Sequence, residues 1–201
     1  MSTSMPTSMS PAPRIAPAAQ PLAPDLARAM ARLVPAGMAP PRIFLTVARH
    51  AGLFTFLVDS GLLGPTGLLD RRTLPAALRE TVILRTCVAT RCDYEFNLHV
   101  QTISQRMGLQ PAQIADVRSA RPDPALWTPQ QRAAMDLVDA LVPGLDLDDA
   151  VFDACRAHLD EATMIEVTQL AGLYVGVAMQ VALARPEMDR YRDGPPMRAS
   201  A

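Results

Sequence analysis

Four side chains with chemical capacity lie close together along the chain: Glu80, Cys92, Glu95 and His99. Glu95 and His99 stand four residues apart, so a helix puts them on one face, with Cys92 a turn before Glu95. A carboxylate and an imidazole so placed can pass a proton through a bound molecule, and burial moves a glutamate towards the pH range in which it acts as an acid. The same spacing also describes an ordinary Glu–His contact on a solvated helix face, and the spacing alone leaves both readings open. Cys92 falls at a helix start, where unpaired amides and the helix dipole favour the thiolate. A small buried hydrophobe would occupy that position equally well.

Around these four stand candidates for holding a substrate. Arg85 follows Glu80 by five residues and could grip a carboxylate through paired hydrogen bonds, as could Arg91, although surface salt bridges are the common fate of arginine. Tyr94, Phe96, Phe54 and Tyr174, with Trp127, could line an apolar pocket or fill core. His50 and His158 have no Cys, Asp or Glu at ligand spacing, so no structural metal is expected.

Composition removes several function classes. The net charge is -1, so the chain has no basic field for a polyanion, and nucleic acid is not an expected partner. All 19 basic residues are Arg. The lack of Lys excludes a Schiff-base lysine, a pyridoxal-phosphate attachment and a Walker-type phosphate loop. Three cysteines, with no CxxC pair, fit reduced thiols and a cytoplasmic setting rather than a disulfide framework. The most apolar stretch, Leu170 to Ala184, is shorter than the roughly 20 apolar residues of a bilayer span. It reads as a buried core helix, and no membrane partner is expected.

The elements that must position these residues are all helical. Residues 1–23, rich in Ser, Pro and Ala, read as a disordered leader, because they bury too little apolar surface to offset their ordering entropy. A helical domain is expected over 24–186 and a flexible tail over 187–201. Leu26, Met30 and Leu33 form one stripe, with Arg28 and Arg32 opposite. Two short helices are expected over 43–50 and 53–62. Thr73-Leu74-Pro75 starts a helix that carries Glu80 to about Thr90, and 94–107 forms the next, with Gly108 as its left-handed terminator. A short helix over 111–117, a turn at 121–124, and helices from Thr128-Pro129 to Pro143-Gly144, over 148–158 and over 161–184 complete an all-α, single-domain reading. No sustained alternation or Asn-Gly turn signals a strand.

The pattern Glu80-x11-Cys92-x2-Glu95-x3-His99 resembles that of the carboxymuconolactone decarboxylase family, which includes alkyl hydroperoxidase D, with its signature Glu-x11-Cys-x2-Cys-x3-His. The likeness extends through Pro13-Arg14-Ile15, Pro41-Arg42-Ile43-Phe44, Leu78-Arg79-Glu80, Tyr94-Glu95-Phe96, Met107-Gly108-Leu109, Trp127 and Gly172-Leu173-Tyr174, covering roughly residues 13–185. The resemblance implies an alkyl hydroperoxidase D-like helical fold, assembled as a trimer or hexamer. Glu95 stands where the peroxidase branch has its second cysteine, so the sulfur that would close a disulfide is missing. The sequence is therefore closer to the non-peroxidase members, whose namesake reaction removes CO2 from a carboxylated lactone in aromatic catabolism.

On this resemblance the chain is expected to be a cofactor-free acid/base enzyme acting on a small carboxylated or lactone substrate. His99 and Glu95 would transfer protons, Glu80 would orient the imidazole or share its proton, Cys92 would be a pocket residue and an arginine would hold the carboxylate. Two alternatives remain: a thiol peroxidase with peroxiredoxin activity using Cys92, with Cys87 or an external thiol as resolver, and a non-catalytic oligomeric binding protein.

Overall fold

The segment carrying Glu80 is the most enclosed part of the molecule. In the computed structural model, which describes residues 12–64, 73–193 and 197–199, every position from Leu78 to Cys87 is buried, including Arg79, Glu80 and Arg85. A helix covered all round needs neighbours on every side. The described residues form nine α-helices and no strand: α1 (Pro24–Ala31), α2 (Arg42–Val47), α3 (Ala51–Asp59), α4 (Ala76–Ala89), α5 (Asp93–Thr102), α6 (Pro111–Asp116), α7 (Pro129–Gly144), α8 (Asp149–Arg156) and α9 (Glu161–Ala184), with a 3-10 turn at Pro124–Leu126. The expected all-α architecture is the one observed.

Helix α4 packs against α5, α7 and α9, and α7 also packs against α8 and α9. Leu78, Val82, Leu84, Phe96, Leu137, Val138, Val167 and Leu170 belong to this main core. A second cluster, with Leu26, Met30, Leu45, Phe54 and Val58, holds α1, α2 and α3 together. Ile43, Tyr94 and Leu98 join α2 to α5. Several helix starts have the chemistry that the sequence offers: Thr128 and Gln131 cap each other at α7, Asp148 accepts from Ala150 N–H at 2.8 Å, and Asp160 accepts from Thr163 N–H at 2.7 Å.

Helices α5 and α9 differ from the expected ones, and α7 ends where expected. Helix α5 stops at Thr102 rather than running to residue 107, because the N–H groups of Ile103 and Ser104 both fold back onto the His99 carbonyl. Helix α7 continues through Pro143 to Gly144 and ends on Leu145, which takes the left-handed conformation at φ +54°. Helix α9 is not a fully buried core helix. Met164, Val167, Leu170 and Tyr174 face inward, but Ile165, Met179 and Leu183 are more than 60% exposed. By length and composition α9 could cross a bilayer, and 28% of its apolar window is buried.

Both ends of the chain also depart from expectation. Residues 1–11, 194–196 and 200–201 lie outside the described residues, but the rest of the leader and tail lies against the folded body. Arg14 N–H donates to the Ala184 carbonyl at 2.8 Å and Ala18 N–H to the Leu45 carbonyl at 2.9 Å. In the tail, buried Asp189 accepts from the Tyr94 hydroxyl and from Arg42 N–H at 3.1 Å, while Tyr94 Oη accepts from Ile43 N–H at 2.9 Å. The Asp189 carbonyl takes hydrogen bonds from Asn97 and Gln101, each at 3.2 Å. Helix α2 begins at Pro41, which has no capping side chain of its own, so its first amides are satisfied by the tail and by α5.

Asp189→Ala removes the acceptor shared by Arg42 N–H and the Tyr94 hydroxyl. A loss of about 1–3 kcal/mol in folding free energy is expected, read in denaturant titration as a lower midpoint with an unchanged slope. An unchanged midpoint would show that the tail does not hold α2.

Candidate active site

The connection between α4 and α5 is short and sharply bent. Arg91 adopts φ +54°, and Cys92 N–H returns to the Cys87 carbonyl at 2.8 Å. This turn starts α5 directly beside α4 and brings Glu80 against His99. His99 Nδ1 lies 3.0 Å from Glu80 Oε1 and 3.2 Å from Oε2. Its Nε2 lies 3.2 Å from the Tyr174 hydroxyl of α9 and 3.4 Å from Glu95 Oε1. The His99 and Tyr174 rings meet edge to face with centroids 5.4 Å apart. Ser104, in the turn after α5, donates to Glu80 Oε1 at 2.6 Å.

The imidazole is thus held between two carboxylates in a low-dielectric interior. Burial opposes a charge on His99, but Glu80 and then Glu95 more than offset it and raise its pKa to about 10. Glu80 moves the other way. Its burial favours the neutral acid, yet His99, the Ser104 hydroxyl and the Arg79 guanidinium together bring its pKa below the usual value. At neutral pH the pair is therefore imidazolium and carboxylate, the state in which both ring nitrogens carry a proton.

One side of this cluster opens onto a cavity of about 600 Å³. Arg79, Glu80, Glu95, His99 and Tyr174 line its polar end. Its other wall is largely apolar and comes from the amino-terminal helices, with Met38, Ile43, Phe44, Val47 and Leu57 among the lining residues. A volume of this order suits a small organic molecule.

The expected site residues divide clearly. Glu80, Glu95, His99 and Tyr174 converge. Arg85 does not reach the cavity: it forms an ion pair with Asp139, Nε at 2.7 Å, and donates to the Val117 and Ser119 carbonyls at 2.7 Å. That side chain pins the loop after α6 to α4 and α7. Phe54 is fully buried in the amino-terminal cluster, and Phe96 is fully buried in the main core. Tyr94 turns to Asp189 and Ile43. None of these three lines the cavity.

Cys92 is the capping residue of α5, as expected, but it is buried outside the cavity lining. Desolvation outweighs the helix start and raises its thiol pKa to about 12, so it is not a ready thiolate. Two participants were not singled out by sequence reasoning. Arg79 is buried, lines the cavity and places Nη2 3.1 Å from Met107 Sδ. A charged residue inside the apolar run of α4 was the signal available for it. Ser104 carried no signal, since its role depends on where α5 stops. Among the described residues no group of three or more His, Cys, Asp or Glu side chains is arranged to hold a metal.

The fold and this buried carboxylate–imidazole cluster define an all-helical protein with an enclosed polar site. Solved structures share the fold: the apo form of the debrominase Bmp8 superposes with a TM-score of 0.70 at 17% identity, covering 88% of this chain and 92% of that one. A cysteine-to-alanine variant of Bmp8 in complex with 2,3,4-tribromopyrrole gives 0.71 at 16% identity, with 88% and 91% covered. No curated protein matches the sequence. Residues 65–140 match the carboxymuconolactone decarboxylase family, a stretch that contains Glu80, Glu95 and His99.

The paired pKa shifts fix a pH dependence. His99 is raised above its ordinary 6.5, so its contribution to stability is complete below that pH and is lost as pH rises through about 10. Glu80 is lowered from 4.5, so its contribution is complete above that value and is lost as pH falls through its depressed pKa. The His99 imidazole nitrogens are therefore expected to show the cationic chemical shift at pH 8 in ¹⁵N NMR. A neutral ring at that pH would contradict the pairing.

Proposed function

We propose that the protein is a cofactor-free acid/base enzyme that acts on a small carboxylated or lactone substrate. The observation that carries this reading is the clamped imidazole: Glu80 holds Nδ1 while Nε2 faces Tyr174 and Glu95, and all four side chains line the cavity. The match of residues 65–140 to the carboxymuconolactone decarboxylase family supports it, as does the small ring compound bound by a Bmp8 variant of the same fold. In the decarboxylation variant of this chemistry, the substrate carboxylate departs as CO2 and its bonding pair passes into a conjugated carbonyl. The oxygen that gains charge is stabilised by the Tyr174 hydroxyl, which His99 Nε2 contacts, and by the nearby Arg79 cation. The imidazolium then protonates the carbon, and solvent restores the proton to His99. With Arg85 committed to Asp139, Arg79 is the buried guanidinium placed to favour an anionic substrate.

The thiol peroxidase reading has less support. Cys92 lies off the cavity with its pKa at about 12, and Cys87, also buried, is likewise raised by desolvation.

The reading is tested by screening carboxylated lactones for CO2 release, with peroxide consumption measured in parallel. His99→Gln is expected to lower turnover by roughly 10²–10⁴-fold, and Cys92→Ser to stay within a few-fold of wild type. Full activity in His99→Gln, or peroxide consumption that depends on Cys92, would overturn it.

We also propose that a second copy of the chain covers the outer face of α9. Ile165, Gly172, Gly176, Met179 and Leu183 follow one stripe of that helix, three of them large apolar side chains left exposed. Light scattering is expected to give an oligomer for the wild type and a smaller species for Met179→Asp/Leu183→Asp. A monomeric wild type would overturn this proposal.

A further inference from the structure

The polar cluster is nearly complete in its hydrogen bonding. Glu80 accepts from Ser104 and pairs with His99, and both nitrogens of His99 have partners. One atom breaks the pattern. Glu95 Oε2 is buried and meets no donor among the described residues, although Glu95 is 7% exposed and lines the cavity. A buried carboxylate oxygen without a donor is costly, and a carboxylate oxygen can only be satisfied by an O–H or N–H.

Tyr174 supplies the complement. With both ring nitrogens of His99 protonated, Nε2–H donates to the Tyr174 oxygen, and the phenol proton has no acceptor among the described residues. The polar end of the cavity thus presents an acceptor at Glu95 and a donor at Tyr174, each in contact with the same imidazole nitrogen. Because both groups contact one nitrogen, a ligand with a donor and an acceptor on neighbouring atoms can satisfy both. The rest of its surface meets the apolar wall formed by side chains such as Ile43, Phe44 and Val47.

We infer that the substrate of this pocket is a small, mostly apolar ring compound bearing an O–H or N–H next to a carbonyl, the donor resting on Glu95 and the carbonyl on Tyr174. This rests on the acid/base reading of the same site and narrows it: a plain lactone, whose ring oxygen cannot donate, leaves Glu95 Oε2 unsatisfied, whereas a hydroxylactone, an enol or a lactam does not. A site built around a donor discriminates strongly against the isostere that lacks it.

The test uses three probes of nearly equal shape: 2-quinolinone, with N–H beside C=O; coumarin, with oxygen in place of that N–H; and N-methyl-2-quinolinone. Calorimetry on the full-length protein is expected to show 2-quinolinone binding roughly tenfold or more tighter than the other two. In Glu95→Leu the preference should fall to about one while coumarin still binds, which also reports an intact pocket. Tyr174→Phe should weaken 2-quinolinone and coumarin alike and keep their ratio. Equal affinities in the wild type, no binding of any probe up to millimolar concentration, or a preference unchanged in Glu95→Leu would overturn the inference. If Glu95→Leu does not fold, the wild type decides: the bound 2-quinolinone N–H proton should move downfield in ¹H NMR, and an unshifted proton overturns the inference. Because these measurements read binding and not turnover, their failure is distinguishable from failure of the proton-transfer chemistry.

Discussion

The structure depends on keeping two opposite charges paired inside an apolar bundle. Glu80 is 1% exposed and His99 4%. An isolated charge at either position would carry a desolvation cost of several kcal/mol, and the contact between them offsets that cost only while α4 and α5 stay in register. The requirement reaches beyond the pair. Ser104 occupies another lone pair of Glu80, the positive φ of Arg91 starts α5 close enough for contact, and Tyr174 brings α9 to the other ring nitrogen. Three helices are thereby fixed around one imidazole.

The cavity follows from the same arrangement. Helices α4, α5 and α9 meet at a polar end, while the separate cluster of α1 to α3 supplies an apolar wall. That wall is held to α5 through Asp189, Tyr94 and the first amides of α2. The tail therefore belongs to the support of the site, even though none of its described residues lines the cavity. Charge chemistry at one end and apolar surface at the other is the division expected of a small-molecule pocket.

Two forces compete at Cys92. The start of α5 offers amides that would favour a thiolate, but the thiol is enclosed and close to acidic groups, and desolvation wins. Burial thus holds Cys92 as the thiol near Glu95. The carboxylate–imidazole pair, by contrast, lines the cavity. Arg85 shows the opposite outcome: it makes the bidentate carboxylate contact for which arginine is suited, but with Asp139 of its own chain.

Much of the architecture was legible in local chemistry. The apolar stripe of α1, the Thr128-Pro129 start of α7 and the aspartates before α8 and α9 depend on neighbours a few residues away, and these helices begin within a residue or two of where the sequence places them. The four-residue step from Glu95 to His99 and the pattern linking both to Glu80 likewise named side chains that the fold brings together. Sequence could not decide which side of α4 each arginine occupies, that Phe54 and Phe96 are core and not pocket, or that α9 leaves one apolar face uncovered. Nor could it show that the tail returns to cap α2. Those outcomes depend on contacts between residues far apart in the chain, where burial sets both the partner and the charge state, so a side chain's type fixes what it can do and only packing fixes what it does.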